Sequence, residues 1–284
     1  LGAVEDFAQV LRWLNEPGAE EFESRADAIR VALRELFWIP DRRLFADALV
    51  DGTPSSMFSE QSNALALLQE VASRRQAGEI AQQLLVGDQH DFVQRESGMT
   101  MVTPAVSYAL HAGLARYGYV EQSLKEFRQR FDKMLTPTSN GTLWEEWWLD
   151  GTGRSGKFRK GKTRSDAQTE SAFPPALFGE FLLGVRPSEP GLKEVQLSRP
   201  SCGLSRLEGT VPSPLGPLHV RWVISDSGGG QLHLTIPEAM QVQVDTTTLD
   251  VKRGSSLIVD DREISSTEIP PHLRLSNGSH KIQF

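Results

Sequence analysis

Apolar residues repeat at helical spacing through the first two thirds of the chain and alternate in the last third. Val4, Phe7, Ala8, Leu11 and Leu14 form one stripe, which Pro17-Gly18 interrupts. Phe22, Ala26, Ile29, Leu33 and Leu36 form a second, running to about Trp38 and ended by Pro40. Asn63 to Leu68 and Arg75 to Val86 give two more helices, and Thr103-Pro104 reads as an N-cap followed by proline at the first helical position. Behind it run Val106, Leu110, Gly113 and Leu114, then a helix over Val120 to Leu135. A last helix covers Phe173 to Leu183 and stops at Gly184. Short turns join these segments in pairs, as in stacked helical hairpins. Two long connections, Asp88–Met101 and Pro137–Gln168, break the rhythm, and loops of that length in a compact domain are commonly functional or disordered.

From about Lys193 the period becomes two. Glu194–Leu197, Leu218–Trp222, Leu232–Ile236, Val242–Val244, Leu257–Val259 and Lys281–Phe284 alternate, with turn clusters between them. They predict an antiparallel β-sandwich. The proline-rich stretch Arg186–Gly191 reads as the linker between a helical domain, 1–186, and a β-domain, 187–284.

Composition narrows the chemistry. The 284 residues are 39% hydrophobic and 24% charged, as in a globular protein, and carry a net charge of −7. That balance argues against nucleic acid or an anionic membrane as the main partner. No apolar run reaches the ~18 residues of a membrane span. Cys202 stands alone and the six histidines lack ligand spacing, so neither an internal disulfide nor a metal site is expected, and no cofactor motif is present. The chain begins with Leu rather than Met, as in a cropped chain, a processed product or part of a longer protein.

Thr142 to Asp150 holds Trp144, Trp147, Trp148, Glu145, Glu146 and Asp150 within nine residues. Indole faces beside carboxylates suit a sugar cleft, in which the ring covers the apolar face of a pyranose and the acids hold hydroxyls or move protons. The competing reading makes the tryptophans core and the glutamates a solvated face. Weaker candidates are Glu60, Asp91 and Glu96 near helix starts or in the first long loop, and Asp150 and Glu170 beside the cluster. The basic run Arg154–Arg164 reads as a solvated loop, and His111 as a hydrogen-bonded core or boundary residue.

The order of these segments resembles the C-terminal part of bacterial α-L-rhamnosidases, inverting glycosidases built on an (α/α)6 toroid. The resemblance rests on Ser62-Asn63-Ala64-Leu65-Ala66-Leu67, on Val102-Thr103-Pro104 with Tyr108-Ala109-Leu110 and Gly118, and on Thr142-Leu143-Trp144-Glu145-Glu146-Trp147. It continues through Phe181-Leu182-Leu183-Gly184-Val185, Leu215 to Trp222 and Asn277-Gly278-Ser279-His280. It implies the second half of the toroid, with about seven helices, followed by the β-sandwich. Glu145 is then the general base, Trp144, Trp147 and Glu146 contact substrate, and a rhamnoside is the substrate. Where the family carries a histidine, this chain has Asp166 or Gln168, depending on the alignment. The general acid lies in the first half of the toroid, absent here, so the expected partners are that missing N-terminal half or a self-associated copy. A non-catalytic carbohydrate-binding relic and another toroid glycosidase are the alternatives.

Overall fold

In the computed structural model the residues described are 1–85, 98–135, 141–147, 168–226, 228–252 and 254–284. They contain seven α-helices and two larger β-sheets, arranged in two compact units, Leu1–Pro174 and Pro175–Phe284.

The first unit opens with α1 (Gly2–Leu14) and α2 (Ala19–Phe37), which pack as a hairpin. Two small ribbons follow: β1 (Trp38–Ile39) with β2 (Leu44–Phe45), and β3 (Leu49–Val50) with β4 (Thr53–Pro54). Both lie in the stretch read as a polar loop. Two-residue strands are too short for alternation to reveal. The helices α3 (Glu60–Leu68), α4 (Arg74–Leu84), α5 (Ser107–Arg116) and α6 (Val120–Phe131) complete the unit.

Local chemistry sets their starts. Ser59 caps α3 by accepting from Ser62 N, and Asp47 in turn accepts from the Ser59 hydroxyl at 2.8 Å. Ser73 and Gln76 form a reciprocal capping box on α4. The expected cap at Thr103 is different. Pro104 opens a 3₁₀ turn, Pro104–Val106, the Thr103 side chain makes no capping bond, and its carbonyl accepts from Ser107 Oγ instead. Asn63, fully buried, is satisfied by the backbone N–H and C=O of Phe45 and the carbonyl of Ser59, which ties α3 to β2. At the α3–α5 crossing Gly113 leaves no room for a side chain, since a Cβ there would sit 2.8 Å from Ala64 O. On α1 and α2, Phe7, Trp13, Leu14, Val31 and Leu36 are each about half exposed or more.

The second unit takes in α7 (Pro174–Phe181) and ten strands: β5 (Val185–Pro187), β6 (Glu194–Leu197), β7 (Arg206–Val211), β8 (Leu218–Ile224), β9 (Gly230–Ile236), β10 (Gln241–Asp245), β11 (Ser256–Val259), β12 (Arg262–Ser265), β13 (His272–Leu275) and β14 (Gly278–Gln283). One sheet has the order β12-β11-β14-β9-β8-β7 and the other β13-β10-β6-β5. Alternate residues are buried as the period predicted. Leu218, Val220, Trp222, Leu232, Leu234, Ile236 and Ile282 line the larger sheet, and Val195, Leu197, Val242 and Val244 the smaller. Trp222 is wholly buried and donates its indole N–H to Leu183 O at 2.9 Å.

Two details refine the expected sandwich. Among the described residues its pairings are antiparallel except one, in which β10 runs parallel to β6. The proline-rich stretch Arg186–Gly191 also contributes to a strand. Val185–Pro187 forms the edge strand β5, and the only residue of it that lacks an N–H, Pro187, is tolerated because it sits at the edge.

Gly184 joins α7 to β5 at φ +80°, and a Cβ there would meet Ser198 O at 1.9 Å. Backbone strain and a backbone clash therefore coincide. Gly184→Ala is expected to destabilise the protein by at least about 2 kcal/mol, read as a lowered urea midpoint. An unchanged midpoint would contradict this placement.

Candidate functional site

The buried anchor of the first unit is an ion cluster. Arg130 of α6 is 1% exposed and makes a bidentate contact with Glu60, Nη1 to Oε2 and Nη2 to Oε1, both at 2.9 Å. Its Nε donates to Glu126 Oε1, one turn earlier on the same helix, at 2.8 Å. Glu60 Oε2 also accepts from Val102 N at 2.9 Å. Glu60 was a candidate for function, and its 0% exposure makes it the counter-ion of Arg130.

The tryptophan-glutamate segment rests beside this cluster. Trp147 donates its indole N–H to Val102 O at 2.7 Å and stands edge-on to Phe131 at 5.0 Å. Ser171, in the 3₁₀ turn Thr169–Ser171, donates to Trp144 O at 2.7 Å, and Gln168 N donates to Leu143 O at 2.8 Å. Trp144 and Trp147 are 3% and 2% exposed, in a cluster with Met101, Phe131, Met134 and Phe173. Neither ring has an open face for a sugar. Both rings are buried in this aromatic cluster, the environment of a packing role and not that of an open substrate platform. Glu146 is likewise buried, at 4%. Of the two glutamates of Thr142–Trp147, Glu145 is the partly exposed one. The segment is thus tethered on both sides of one half-buried carboxylate.

Gln168 lies next to this segment through its backbone bond to Leu143, and its side-chain amide donates to Glu170, which is exposed. Asp166, Asp91, Glu96, Asp150, Trp148 and the basic run 154–164 lie outside the described residues. Among the described residues no group of His, Cys, Asp and Glu is placed to hold a metal. Cys202 is buried. The sequence reading missed Arg130, Glu126 and Ser171. Glu126 and Arg130 are spaced like an ordinary exposed i,i+4 helix pair, and nothing in the pattern sets them apart.

His111 sits against the same aromatic cluster. Its Nδ1 shares a hydrogen bond with Ser123 Oγ at 2.9 Å, its ring stands edge-on to Phe127 at 5.2 Å and stacks on Phe173 at 6.4 Å, and its Nε2 is buried without a partner among the described residues. Burial and the nearby Arg130 charge push its pKa down to about 3, against a smaller upward pull from Glu60 and Ser123. The folded ring is therefore neutral while the unfolded ring takes a proton below about 6.5. Stability should fall as pH drops from about 6.5 towards about 3, by roughly 2 kcal/mol at pH 5 from this group alone. His111→Gln should flatten that limb of a stability–pH profile. An unchanged slope in the variant would locate the acid sensitivity elsewhere.

The first unit is helical and carries a tethered aromatic segment with one partly exposed carboxylate, and the second unit holds the two larger sheets. Residues 184–256 match the bacterial alpha-L-rhamnosidase C-terminal domain. In structure the chain is similar to the GH78 family rhamnosidase of Bacillus sp. GL1, at 25% identity and TM-score 0.64, over 80% of this chain and 23% of that one. It is also similar to the alpha-L-rhamnosidase of Dictyoglumus thermophilum, at 17% identity and TM-score 0.71, over 99% of this chain and 30% of that one. A third is the Streptomyces avermitilis alpha-L-rhamnosidase complexed with L-rhamnose, at 16% identity and TM-score 0.58, over 98% and 25%. No curated protein sequence matches the chain. The chain therefore has the fold of the C-terminal part of an α-L-rhamnosidase and spans less than a third of those enzymes' length.

Proposed function

We propose that this chain is the C-terminal part of an inverting glycoside hydrolase that removes terminal α-L-rhamnosyl residues, with Glu145 as the general base. The observation that supports the reading is the partial exposure of Glu145 on a segment whose neighbours are locked into the core. A general base needs a held position and access to water, and tethered neighbours with a partly exposed carboxylate suit both. Inversion requires a second carboxyl roughly 6.5–9.5 Å away, leaving room for the attacking water. Glu145 removes the proton of that water as it attacks the anomeric carbon. The acid that protonates the departing oxygen comes, in this reading, from residues outside this chain. Gln168 stands beside the segment as a candidate donor to a sugar hydroxyl. The half-exposed apolar residues of α1 and α2 suit a face covered by the rest of the toroid.

The test is stereochemical. The full-length protein is mixed with an aryl α-L-rhamnoside in a proton NMR tube. The first sugar formed should be β-L-rhamnose, with the α-anomer appearing only by mutarotation. First appearance of the α-anomer would exclude Glu145 as a base activating water by inversion. Binding without hydrolysis would favour a non-catalytic role.

A further inference from the structure

Glu60 and Glu145 are far apart in sequence, yet an unbroken relay of hydrogen bonds joins their surroundings. Arg130 holds both carboxylate oxygens of Glu60 at 2.9 Å. Glu60 Oε2 accepts from Val102 N at 2.9 Å, which leaves the other side of that residue, Val102 O, to accept from Trp147 Nε1 at 2.7 Å. Trp147 is two residues from Glu145. Every group in the relay is buried: Glu60 and Arg130 at 0% and 1%, Val102 and Trp147 both at 2%. A buried bond of this kind has no water to replace it, so each link constrains the next.

We propose that Glu60 is a positioning residue for Glu145. The inference rests on the general-base reading above. The carboxylate fixes the Val102 backbone, Val102 fixes the Trp147 indole, and the indole fixes the height of the segment from which Glu145 reaches the site. The role differs from plain stabilisation. A buried ion pair adds little stability over a well-packed apolar pair of similar volume. What an apolar pair cannot supply is the acceptor for Val102 N, and so the register of the relay.

Two double variants of the full-length protein separate the acceptor from the charge. Glu60→Gln with Arg130→Met keeps an acceptor oxygen for Val102 and has no buried ion pair. Glu60→Met with Arg130→Met has neither, and both variants treat Glu126 alike. Misplacing a catalytic group by about an ångström can cost up to a hundredfold. The Met/Met variant should therefore lose kcat about tenfold or more with KM little changed, and the Gln/Met variant should recover most of it. The Trp147 indole N–H resonance should move in the Met/Met variant and return in the Gln/Met variant. Equal kcat in the two folded variants would overturn the proposal. Should Met/Met not fold, Trp147→Phe cuts the relay at its other end, and a normal kcat there would overturn it as well. Full turnover in Glu145→Gln is a different failure. It removes the general base itself, and the indole resonance then decides whether the relay still sets the segment.

Discussion

Glu145→Gln should lower the turnover of an aryl α-L-rhamnoside by at least about a hundredfold, the usual scale for loss of a general base. Glutamine keeps the shape of the side chain and its ability to hydrogen-bond a water. It cannot take the water's proton. Substrate affinity should change little, because the loss is confined to the transition state. Stability should also change little. Glutamine keeps the side chain's volume, and the segment is also held by Ser171 Oγ to Trp144 O, Gln168 N to Leu143 O, and Trp147 Nε1 to Val102 O. Melting curves of the variant should therefore overlay the parent. External azide, a small anion that can attack without a general base, should restore part of the turnover and give a rhamnosyl azide. Near-normal hydrolysis by the variant would remove Glu145 from the mechanism.

The sequence made the elements legible where they are long and one-sided. The stripes on α1 and α2, the alternation in β8 and β9, and the helix stop at Gly184 all follow from side-chain period or from a residue with special backbone freedom. What stayed hidden depends on contacts remote in sequence. The ribbons β1–β2 and β3–β4 have two residues per strand, and β5 carries a proline, so each reads as loop. The parallel pairing of β6 with β10 joins residues nearly fifty positions apart, and no local pattern encodes its direction. The tryptophan-glutamate segment was legible as unusual. Its orientation was not. Trp144, Glu145, Glu146 and Trp147 gave no period to decide which face inward, and only the tethers from Val102 and Ser171 settle it. Glu60 was read as a helix-start carboxylate, a fair reading of Ser59-Glu60 in isolation. Its partner Arg130 lies 70 positions away.

That hidden pair carries the largest expected effect on stability. Arg130→Met should destabilise the protein by about 3–5 kcal/mol, the range for breaking a buried ion pair from one side. The arginine is 1% exposed, and its hydrogen bonds include two to Glu60 and one to Glu126. Methionine nearly fills its volume but removes a cation from beside two carboxylates, of which Glu60 has no exposure at all. The cost comes from the buried charges that lose this cation and not from the missing contact, and that origin can be tested. Glu60→Gln with Arg130→Met should recover most of the loss, because the group left at position 60 is neutral and still accepts from Val102 N. The deficit of the single variant should also shrink in acid, as those carboxylates take up protons. Urea unfolding of the parent, the single and the double variant at two pH values reads all three effects. A single variant within about 1 kcal/mol of the parent would mean that the charges reach water, and the cluster would then be a surface ion pair of the weak kind.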